Sequence, residues 1–237
     1  MVKPAYAMVV TPHPDDAEYG IAGTVARWVK EGKDVVYVVC TNGDKGTSDI
    51  NMKPELLAKI REKEQMEAAK VLGVREVIFL RHPDQGLEDS YEFRKQLVRL
   101  IRMYHPDIVA TTDPYLRYMW HRDHRIAGQV VLDAVFPYAR DFLAYPDLTL
   151  DDLQPHKVKE VLLWSMLLFW ESQEINCRSD ITDTIDLKIA ALLCHKSQVG
   201  KIPPPDLEKL LRQQHEAMAA GESFKLAEAF RRVELFG

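Results

Sequence analysis

The strongest constraint on the fold is an alternation of two periodicities along the first 136 residues. Short β-branched runs, which predict buried strands, lie at 7–11, 35–41, 77–80 and 108–112. Longer segments with apolar residues at helical spacing follow them at 20–31, 54–72, 91–104 and 121–136. Strands that alternate with helices form βαβ units and a parallel sheet. We therefore predict an α/β fold with a Rossmann-like, mostly parallel sheet and helices on both faces, in three α/β/α layers.

The pattern is looser after Pro137, where a loop rich in Asp and Pro begins. The elements predicted there are an apolar segment at 158–169, a short strand at 181–185, a helix near 187–196 and a terminal helix at 206–236. Ile202 and the three prolines after it predict a linker between the last two helices.

The chain length of 237 residues fits one sizeable α/β domain or two small ones. A hydrophobic fraction of 46% and a charged fraction of 28% are typical of a globular protein with a buried core. The sequence contains no internal repeat or low-complexity tract. We expect a single domain at 1–237, with its core at about 5–136 and C-terminal strands and helices at 158–237.

Charge and hydropathy argue against two classes of partner. The net charge of −5 is spread along the chain, without a basic stripe that could neutralise a nucleic-acid backbone. The apolar stretch before Pro12 is too short for a signal peptide. The longest apolar run, Val161–Trp170, reaches about half of the roughly 20 residues that span a bilayer. We expect neither nucleic acid nor membrane as a partner, and the run is compatible with a homo-oligomer interface or with packing inside the sheet.

The three cysteines, Cys40, Cys177 and Cys194, are widely spaced and form no CxxC pair. Neither a disulfide framework nor a thiolate zinc site is indicated. We therefore expect a reducing, cytoplasmic location.

The first chemical motif is His13-Pro14-Asp15-Asp16, which directly follows the first predicted strand. Open α/β sheets bind their ligands at the carboxyl ends of their strands. Either Asp15 or Asp16 could simply cap the next helix. Capping does not explain why two adjacent carboxylates and an imidazole crowd one strand end, where like charges repel unless a cation lies among them. The motif therefore predicts a metal site.

The second motif is His121-Arg122-Asp123-His124, after the fourth predicted strand and at the start of a helix. Residues at positions i and i+3 lie on one helix face, so both imidazoles can face one point. Alone, an HxxH pattern would be a common coincidence. In a doubly wound sheet ordered 3-2-1-4-5, however, strands one and four are neighbours and their loops converge.

The two motifs together predict a catalytic metal centre. Three protein ligands drawn from imidazole and carboxylate, with open positions left for water, are typical of catalytic rather than structural zinc. Such a metal generates hydroxide near neutral pH. The sequence thus favours a metal-dependent hydrolase.

With both motifs in this order, the sequence resembles the LmbE-like, or PIG-L-type, N-acetylglucosamine deacetylases. That family carries HPDD after strand one and HxDH after strand four. The resemblance covers about Tyr6 to Phe136 and includes Arg61-Glu62-Lys63-Glu64 on the second long helix. It is echoed more weakly by His195-Lys196-Ser197-Gln198 and by Ala227-Glu228-Ala229-Phe230.

The resemblance implies a division of roles among the motif residues. His13, Asp16 and His124 would hold zinc, and Asp15 would act as general base on the metal-bound water. His121 would stabilise the oxyanion or protonate the departing amine, with Asp123 polarising it. Imidazole and carboxylate ligands also suit Fe²⁺, Mn²⁺ and Co²⁺, so the sequence leaves the ion open.

The resemblance also implies two substrate-binding residues. Arg61 and Asp84 would reach the cleft and contact substrate hydroxyls or the acyl carboxylate. Alternatively, Arg61 is a surface partner of Glu64, and Asp84 is a turn residue before Gly86.

Other polar and aromatic residues receive different predictions. Arg122 replaces a proline common in relatives, and Tyr118 and Trp120 could form a sugar-stacking platform or pack inside the loop. The remaining histidines lack a matching cluster and are predicted to be loop or surface residues: His82, His105, His156, His195 and His215.

The leading hypothesis is removal of the N-acetyl group from an amino sugar or a GlcNAc-containing conjugate, with a small-molecule amino sugar as substrate. A second hypothesis keeps metal-dependent hydrolysis and moves it to an amide or ester outside carbohydrate chemistry. A third is a metal- or sugar-binding protein without turnover. An intact Asp15 argues against the third, because pure binding requires no spare carboxylate.

Overall fold

The β-branched runs near the N-terminus form the centre of a mixed, mostly parallel sheet. The computed structural model describes residues 2–117, 119–165 and 173–235. Its strands are β1 Ala7–Thr11, β2 Val35–Thr41, β3 Glu76–His82, β4 Ile108–Thr112, β5 Glu160–Trp164, β6 Cys177–Asp180 and β7 Ala227–Glu234. They are ordered β3-β2-β1-β4-β5-β7-β6, and the first five are parallel while β7 runs antiparallel to β5 and β6. The predicted α/β class and the 3-2-1-4-5 order are confirmed.

Helices surround this sheet. They are α1 Asp16–Gly20, α2 Ala22–Lys30, α3 Pro54–Leu72, α4 Tyr91–Tyr104, α5 Arg122–Asp133, α6 Pro146–Leu150, α7 Ile185–Leu192, α8 Lys196–Val199 and α9 Pro204–Met218. The predicted bounds of α3 and α4 agree with the structure. Gly73, in a left-handed conformation with φ of 75°, ends α3 as its position after the last helical residue suggests.

Alternating side chains of the central strands form a core on each face of the sheet. In β1, Met8 and Val10 pack with residues of α4 and α5, whereas Ala7 and Val9 pack with residues of α2, α3 and α7. All five residues of β1 and all seven of β2 are buried. Because successive side chains of a strand point to opposite faces, a strand that is apolar throughout is stable only between two helical layers.

Four predicted elements need correction near their ends. The segment 20–31 divides at Ile21 into the end of α1 and the whole of α2. The segment 121–136 is helical as α5 to Asp133 and continues as one π-helical turn, Ala134–Tyr138. The strand predicted at 77–80 extends over Glu76–His82 as β3. The apolar segment predicted at 158–169 contains β5, and its residues 166–169 lie outside the described residues.

Two predicted elements in the C-terminal region are wrong. The short strand predicted at 181–185 lies earlier, as β6, because Asp180 Oδ1 accepts hydrogen bonds from the amide and hydroxyl of Thr182 and turns the chain. The terminal helix predicted at 206–236 ends at Met218, and Ala227–Glu234 is a strand. Its Ala, Glu and Arg residues favour a helix by propensity, but pairing with β5 and β6 overrides that preference.

A buried ion pair ties this last strand to the N-terminal helices. Lys188 Nζ on α7 donates to Glu228 Oε1 at 2.6 Å and to the carbonyl of Tyr19 at 2.7 Å, and the two side chains of the pair are 0% and 1% exposed. Glu228 also accepts the amide hydrogens of Gly23 and Thr24. Burial raises the pKa of Glu228, but Lys188 lowers it below the usual range, so the carboxylate stays charged.

We expect Lys188→Met to lower the free energy of unfolding by about 3 kcal/mol, because the Glu228 charge would remain buried without its cation. Urea unfolding measures the change. The matched control is Lys159→Met, which removes a lysine paired with Asp107 at 2.9 Å on the surface and is expected to cost less than about 1 kcal/mol. Equal losses in both variants would contradict the prediction.

Candidate active site

The two sequence motifs meet at the carboxyl ends of neighbouring strands. β1 pairs directly with β4, and the chain after each strand leads into one motif. Asp16 Oδ2 lies 3.0 Å from His13 Nδ1 and 3.3 Å from His124 Nε2. Residues separated by more than a hundred positions in sequence thus share one carboxylate oxygen.

The imidazole of His13 is the centre of the cluster. Its Nε2 lies 3.2 Å from both Asp84 Oδ1 and Asp123 Oδ2. The rings of His121 and His124 lie with their centroids 4.7 and 5.2 Å from that of His13. All the residues predicted as metal ligands, together with His121, Asp123 and Asp84, therefore lie around one point.

This donor set fits a divalent metal ion. Two groups of three residues bring their ligand atoms within 4.8 Å of one another inside each group. The first group is His13, His121 and His124, and the second is His13, Asp84 and Asp123. The Nδ1 atom of His124 is buried without a hydrogen-bond partner among the described residues. Imidazoles and carboxylates gathered in a buried pocket are the ligands that zinc and similar ions take in catalytic centres.

The charges of the cluster are strongly coupled. Burial lowers the pKa of His13, but hydrogen bonds to Asp123, Asp16 and Asp84 outweigh it and raise this pKa well above its usual value. Burial raises the pKa of Asp16, but His124 and His13 together hold it far below the usual range. Burial likewise opposes ionisation of Asp84, yet His13 lowers its pKa to about 2. The carboxylates of Asp16 and Asp84 are therefore charged.

Asp15 is held differently from its neighbour. Its backbone is left-handed, with φ of 98°, and its carboxylate makes no capping hydrogen bond to α1, so the capping alternative is not realised for this residue. Burial raises the pKa of its carboxyl group to about 7, against the lowering effect of Arg61. A carboxyl group with a pKa in this range can accept and release a proton near neutral pH.

Arg61 is a buried part of the site, and its surface alternative is wrong. The side chain on α3 is 4% exposed. Its guanidinium donates to the carbonyls of Gly43 at 3.0 Å and Pro14 at 2.5 Å and lies 3.3 Å from Asp15 Oδ1. A Cβ on Gly43, whose φ is 63°, would lie 2.6 Å from this guanidinium, so only glycine allows the approach.

Asp84 and Asp123 are both buried against His13. Asp84 Oδ2 accepts the amide hydrogen of Lys45 at 3.2 Å, so it is more than a turn residue. Asp123 accepts the amide hydrogens of Gln85 at 2.6 Å and Leu87 at 3.2 Å. These bonds aim Asp123 at His13, and its polarisation of His121 stays a prediction.

His121 lies at the rim of the cluster. It occupies the N-cap position of α5 without a capping hydrogen bond from its side chain, and it is more exposed than His13 and His124. Burial and the nearby His13 lower the pKa of His121. Trp120 before it is 82% exposed, so it does not pack inside the loop, and Tyr118 lies outside the described residues.

A cleft of about 180 Å³ opens over these side chains. Its lining residues are His13, Asp15, Lys45, Gly46, Arg61, Asp84, Gln85, His121 and Gln198. Lys45 and Gln198 were not predicted as site residues. The weak resemblance at 195–198 was the only hint of Gln198. Lys45 follows β2 and donates to the carbonyl of Asp84.

Two of the remaining histidines, His195 and His215, are buried, at 0% and 1% exposure. His195 lies in the loop between α7 and α8, as the loop prediction allows, whereas His215 lies on α9, so the prediction is wrong for His215. His215 Nδ1 lies 2.7 Å from the carbonyl of Ala227, whereas His195 Nε2 lies 3.3 Å from Glu18 Oε2. This second contact was not visible in the sequence, because Glu18 on α1 is far from His195 along the chain.

The fold and the clustered site define a class of protein, and comparison with known sequences identifies that class. The family model described as PIG-L: GlcNAc-PI de-N-acetylase matches residues 8–135. The chain therefore belongs to the PIG-L, or LmbE-like, family, and its named relatives include several deacetylases and a mycothiol S-conjugate amidase. The resemblance inferred from the two motifs is confirmed, and the chain is an enzyme of a metal-dependent hydrolase family.

Individual relatives are similar over most of the chain. Diacetylchitobiose deacetylase of Thermococcus kodakarensis is 34% identical over 195 residues, which cover 81% of this chain and 69% of the relative. The structure of N,N'-diacetylchitobiose deacetylase from Pyrococcus horikoshii superimposes with a TM-score of 0.84 at 30% identity, over 97% of this chain and 84% of that one.

A second solved structure has the same fold and is named for a different reaction. The 4-carboxy-2-hydroxymuconate hydratase from Pseudomonas putida covers all of this chain and 98% of its own, with a TM-score of 0.81 at 20% identity. At that identity the likeness extends to the fold alone. In the described ranges, no helix is both long and apolar enough to cross a bilayer.

Proposed function

We propose that the protein is a zinc-dependent N-deacetylase that removes the acetyl group from a small amino sugar or a GlcNAc-containing conjugate. The observation that carries the proposal is the convergence of His13, Asp16 and His124 beside a partly buried Asp15 of raised pKa. The similarity to the two diacetylchitobiose deacetylases supports the choice of substrate class.

We assign the metal to His13, Asp16 and His124, because Asp16 Oδ2 lies close to a nitrogen of both imidazoles. Zn²⁺ is the expected ion, and Fe²⁺, Mn²⁺ and Co²⁺ suit the same ligands. The chemistry that such an ion supplies is activation of water and polarisation of the scissile carbonyl. Asp84 and Asp123 would hold His13 in place through its other ring nitrogen.

Asp15 would act as the general base. Its carboxylate takes a proton from the attacking water as the oxygen bonds to the acetyl carbon. Arg61 fixes this carboxylate from one side through its guanidinium. The C–N bond then breaks, and the amine nitrogen leaves with a proton while acetate keeps both oxygens.

His121 would face the other side of the reacting amide. Its position at the mouth of the cleft suits a group that stabilises the developing oxyanion or protonates the amine. Arg61 and Asp84 line the same cleft and would contact substrate hydroxyls. The exposed Trp120 beside His121 would provide a stacking surface for a sugar ring.

We also propose that residues 1–237 act as one domain in the cytoplasm. Strand β7 from the C-terminal region pairs with β5, and Gln198 from the same region lines the cleft, which supports a single unit. All three cysteines are free, which agrees with a reducing compartment.

The proposed function is tested by acetate release from a panel of N-acetylated compounds by protein loaded with Zn²⁺. The panel contains GlcNAc, N,N'-diacetylchitobiose and a GlcNAc-malate conjugate, together with a simple N-acetyl amino acid and an acetyl ester. We expect turnover of at least one sugar, and of the sugars in preference to the other two compounds. Release from the amino acid or the ester alone would move the substrate outside carbohydrates, as the second hypothesis requires. No release from any compound, with metal bound, would favour a binding protein.

A further inference from the structure

The backbone of Asp15 is in a conformation that an aspartate does not adopt without support. Its φ of 98° and ψ of −27° lie in the positive-φ region, where the backbone of a residue with a Cβ is strained. Such a residue keeps this geometry only when its surroundings determine it. The contacts of the Asp15 peptide group therefore indicate what sets the direction of its carboxylate.

Helix α3 holds this residue from two sides. Arg61 binds the carboxylate of Asp15 and the carbonyl of Pro14, as described above. Gln65, one turn later on the same face, accepts the amide hydrogen of Asp15 with its Oε1 at 3.1 Å. The two side chains thus hold the peptide and the carboxylate of Asp15 in a single orientation.

The amide group of Gln65 is itself oriented. Its Nε2 donates to Glu18 Oε1 at 2.9 Å, so its Oε1 faces Asp15. The other oxygen of Glu18 lies 3.3 Å from His195 Nε2, and all three side chains are fully buried. An amide that donates to a fixed carboxylate cannot flip without losing both of its hydrogen bonds.

The segment that carries His195 is fastened to the same helix. Ser197 donates to Glu64 through its amide at 2.8 Å and its hydroxyl at 2.6 Å. Gln198 Nε2 donates to the carbonyl of Gly46 at 3.1 Å. The C-terminal half of the chain thereby supports the N-terminal motif from behind.

From these contacts we propose that Gln65, Glu18 and His195 form a positioning relay for Asp15. The relay touches no substrate and acts by holding the left-handed peptide of Asp15, so that its carboxylate faces the reacting water. This inference rests on the proposed function, in which Asp15 is the general base. It assigns a role in the reaction to three buried residues that neither bind the metal nor line the cleft.

The first test is Gln65→Met, which keeps the length of the side chain and removes both hydrogen bonds. We expect kcat to fall by about ten- to a hundredfold, the effect of a displaced catalytic group, with KM changed less than about twofold. Metal content should stay at the wild-type value. Gln65→Asn, which withdraws the amide by one methylene, is a second variant should the methionine fail to fold, and is expected to lower kcat in the same way.

The matched control is Thr184→Val, which removes another buried hydrogen bond, from the Thr184 hydroxyl to the carbonyl of Gly23 at 2.8 Å. It should lower the unfolding temperature but leave kcat unchanged. An equal loss of kcat in Thr184→Val would mean that general loosening of the fold explains the effect, and would overturn the proposal.

The second test combines Gln65→Met with Asp15→Asn in single-turnover assays. A residue that acts through Asp15 should lower the rate no further once the base is removed. If Gln65→Met costs as much in the Asp15→Asn background as in the wild type, the relay is wrong. A crystal structure of Gln65→Met is expected to contain Asp15 with an altered φ or a displaced carboxylate, and an unchanged Asp15 would also overturn the proposal. Because this last readout needs no turnover, it separates failure of the relay from failure of the proposed deacetylation.

Discussion

Asp15→Asn is expected to lower kcat by about 10²- to 10⁴-fold, the usual contribution of a general base. Asparagine has the size of aspartate but cannot accept the proton of the attacking water. The effect should be large because burial raises the pKa of Asp15 to about 7, which places its proton exchange close to neutral pH. Neither His13 nor His124 is displaced by the change, so the protein should still bind its metal.

The measurement is kcat for acetate release together with metal content determined by atomic emission. Asp49→Asn, the same change at an exposed position outside the cleft, is the matched control and should retain wild-type activity. Loss of metal in Asp15→Asn would show that the carboxylate is a ligand, and unchanged kcat would remove it from the reaction altogether.

His124→Ala is expected to abolish both stable metal binding and activity. Three protein ligands hold a catalytic zinc ion, and removing one leaves a site of much lower affinity. His124 is buried, and its Nε2 lies 3.3 Å from Asp16 Oδ2, so its loss leaves His13 and Asp16 without the third proposed ligand. His121→Ala is the matched control, because it removes the neighbouring imidazole at the rim and should lower kcat while the metal stays bound.

Metal content after dialysis distinguishes this ligand set from the others that the geometry allows. The described residues also contain a group of His13, Asp84 and Asp123 and a group of three imidazoles. If His124→Ala kept its metal while Asp84→Asn lost it, the ion would lie on the acidic side of His13. If His121→Ala and His124→Ala both lost the metal, the three imidazoles would be the ligands.

The two motifs show how much of this site the sequence predicts. The apolar composition of β1 and β2 and the repeated β-then-α order predict a parallel sheet, and the doubly wound order 3-2-1-4-5 expected for such a sheet is the order that the structure has. Once β1 and β4 are neighbours, His13 and His124 must lie at the same edge. For this reason the class of fold and the core of the site could be predicted without coordinates.

Prediction failed where a residue's surroundings come from distant parts of the chain. The segment 227–234 favours a helix by composition, but an open sheet edge beside β5 makes it a strand. His195 resembles an ordinary loop histidine until α7 and α8 bring it to Glu18. Local propensity amounts to tenths of a kcal/mol per residue, whereas burial and pairing with a sheet contribute several times more.

The sequence by itself determined the alternation of strands and helices and the two motifs, because these depend on the order of residues along the chain, and it predicted a meeting of the motifs for a sheet ordered 3-2-1-4-5. Only the tertiary structure decided how each side chain of the site is oriented. It turned Arg61 inward, set Asp123 against His13 and gave Asp15 its left-handed peptide, supported by Gln65. These orientations depend on hydrogen bonds between groups far apart in sequence, and such bonds exist only once the core has packed.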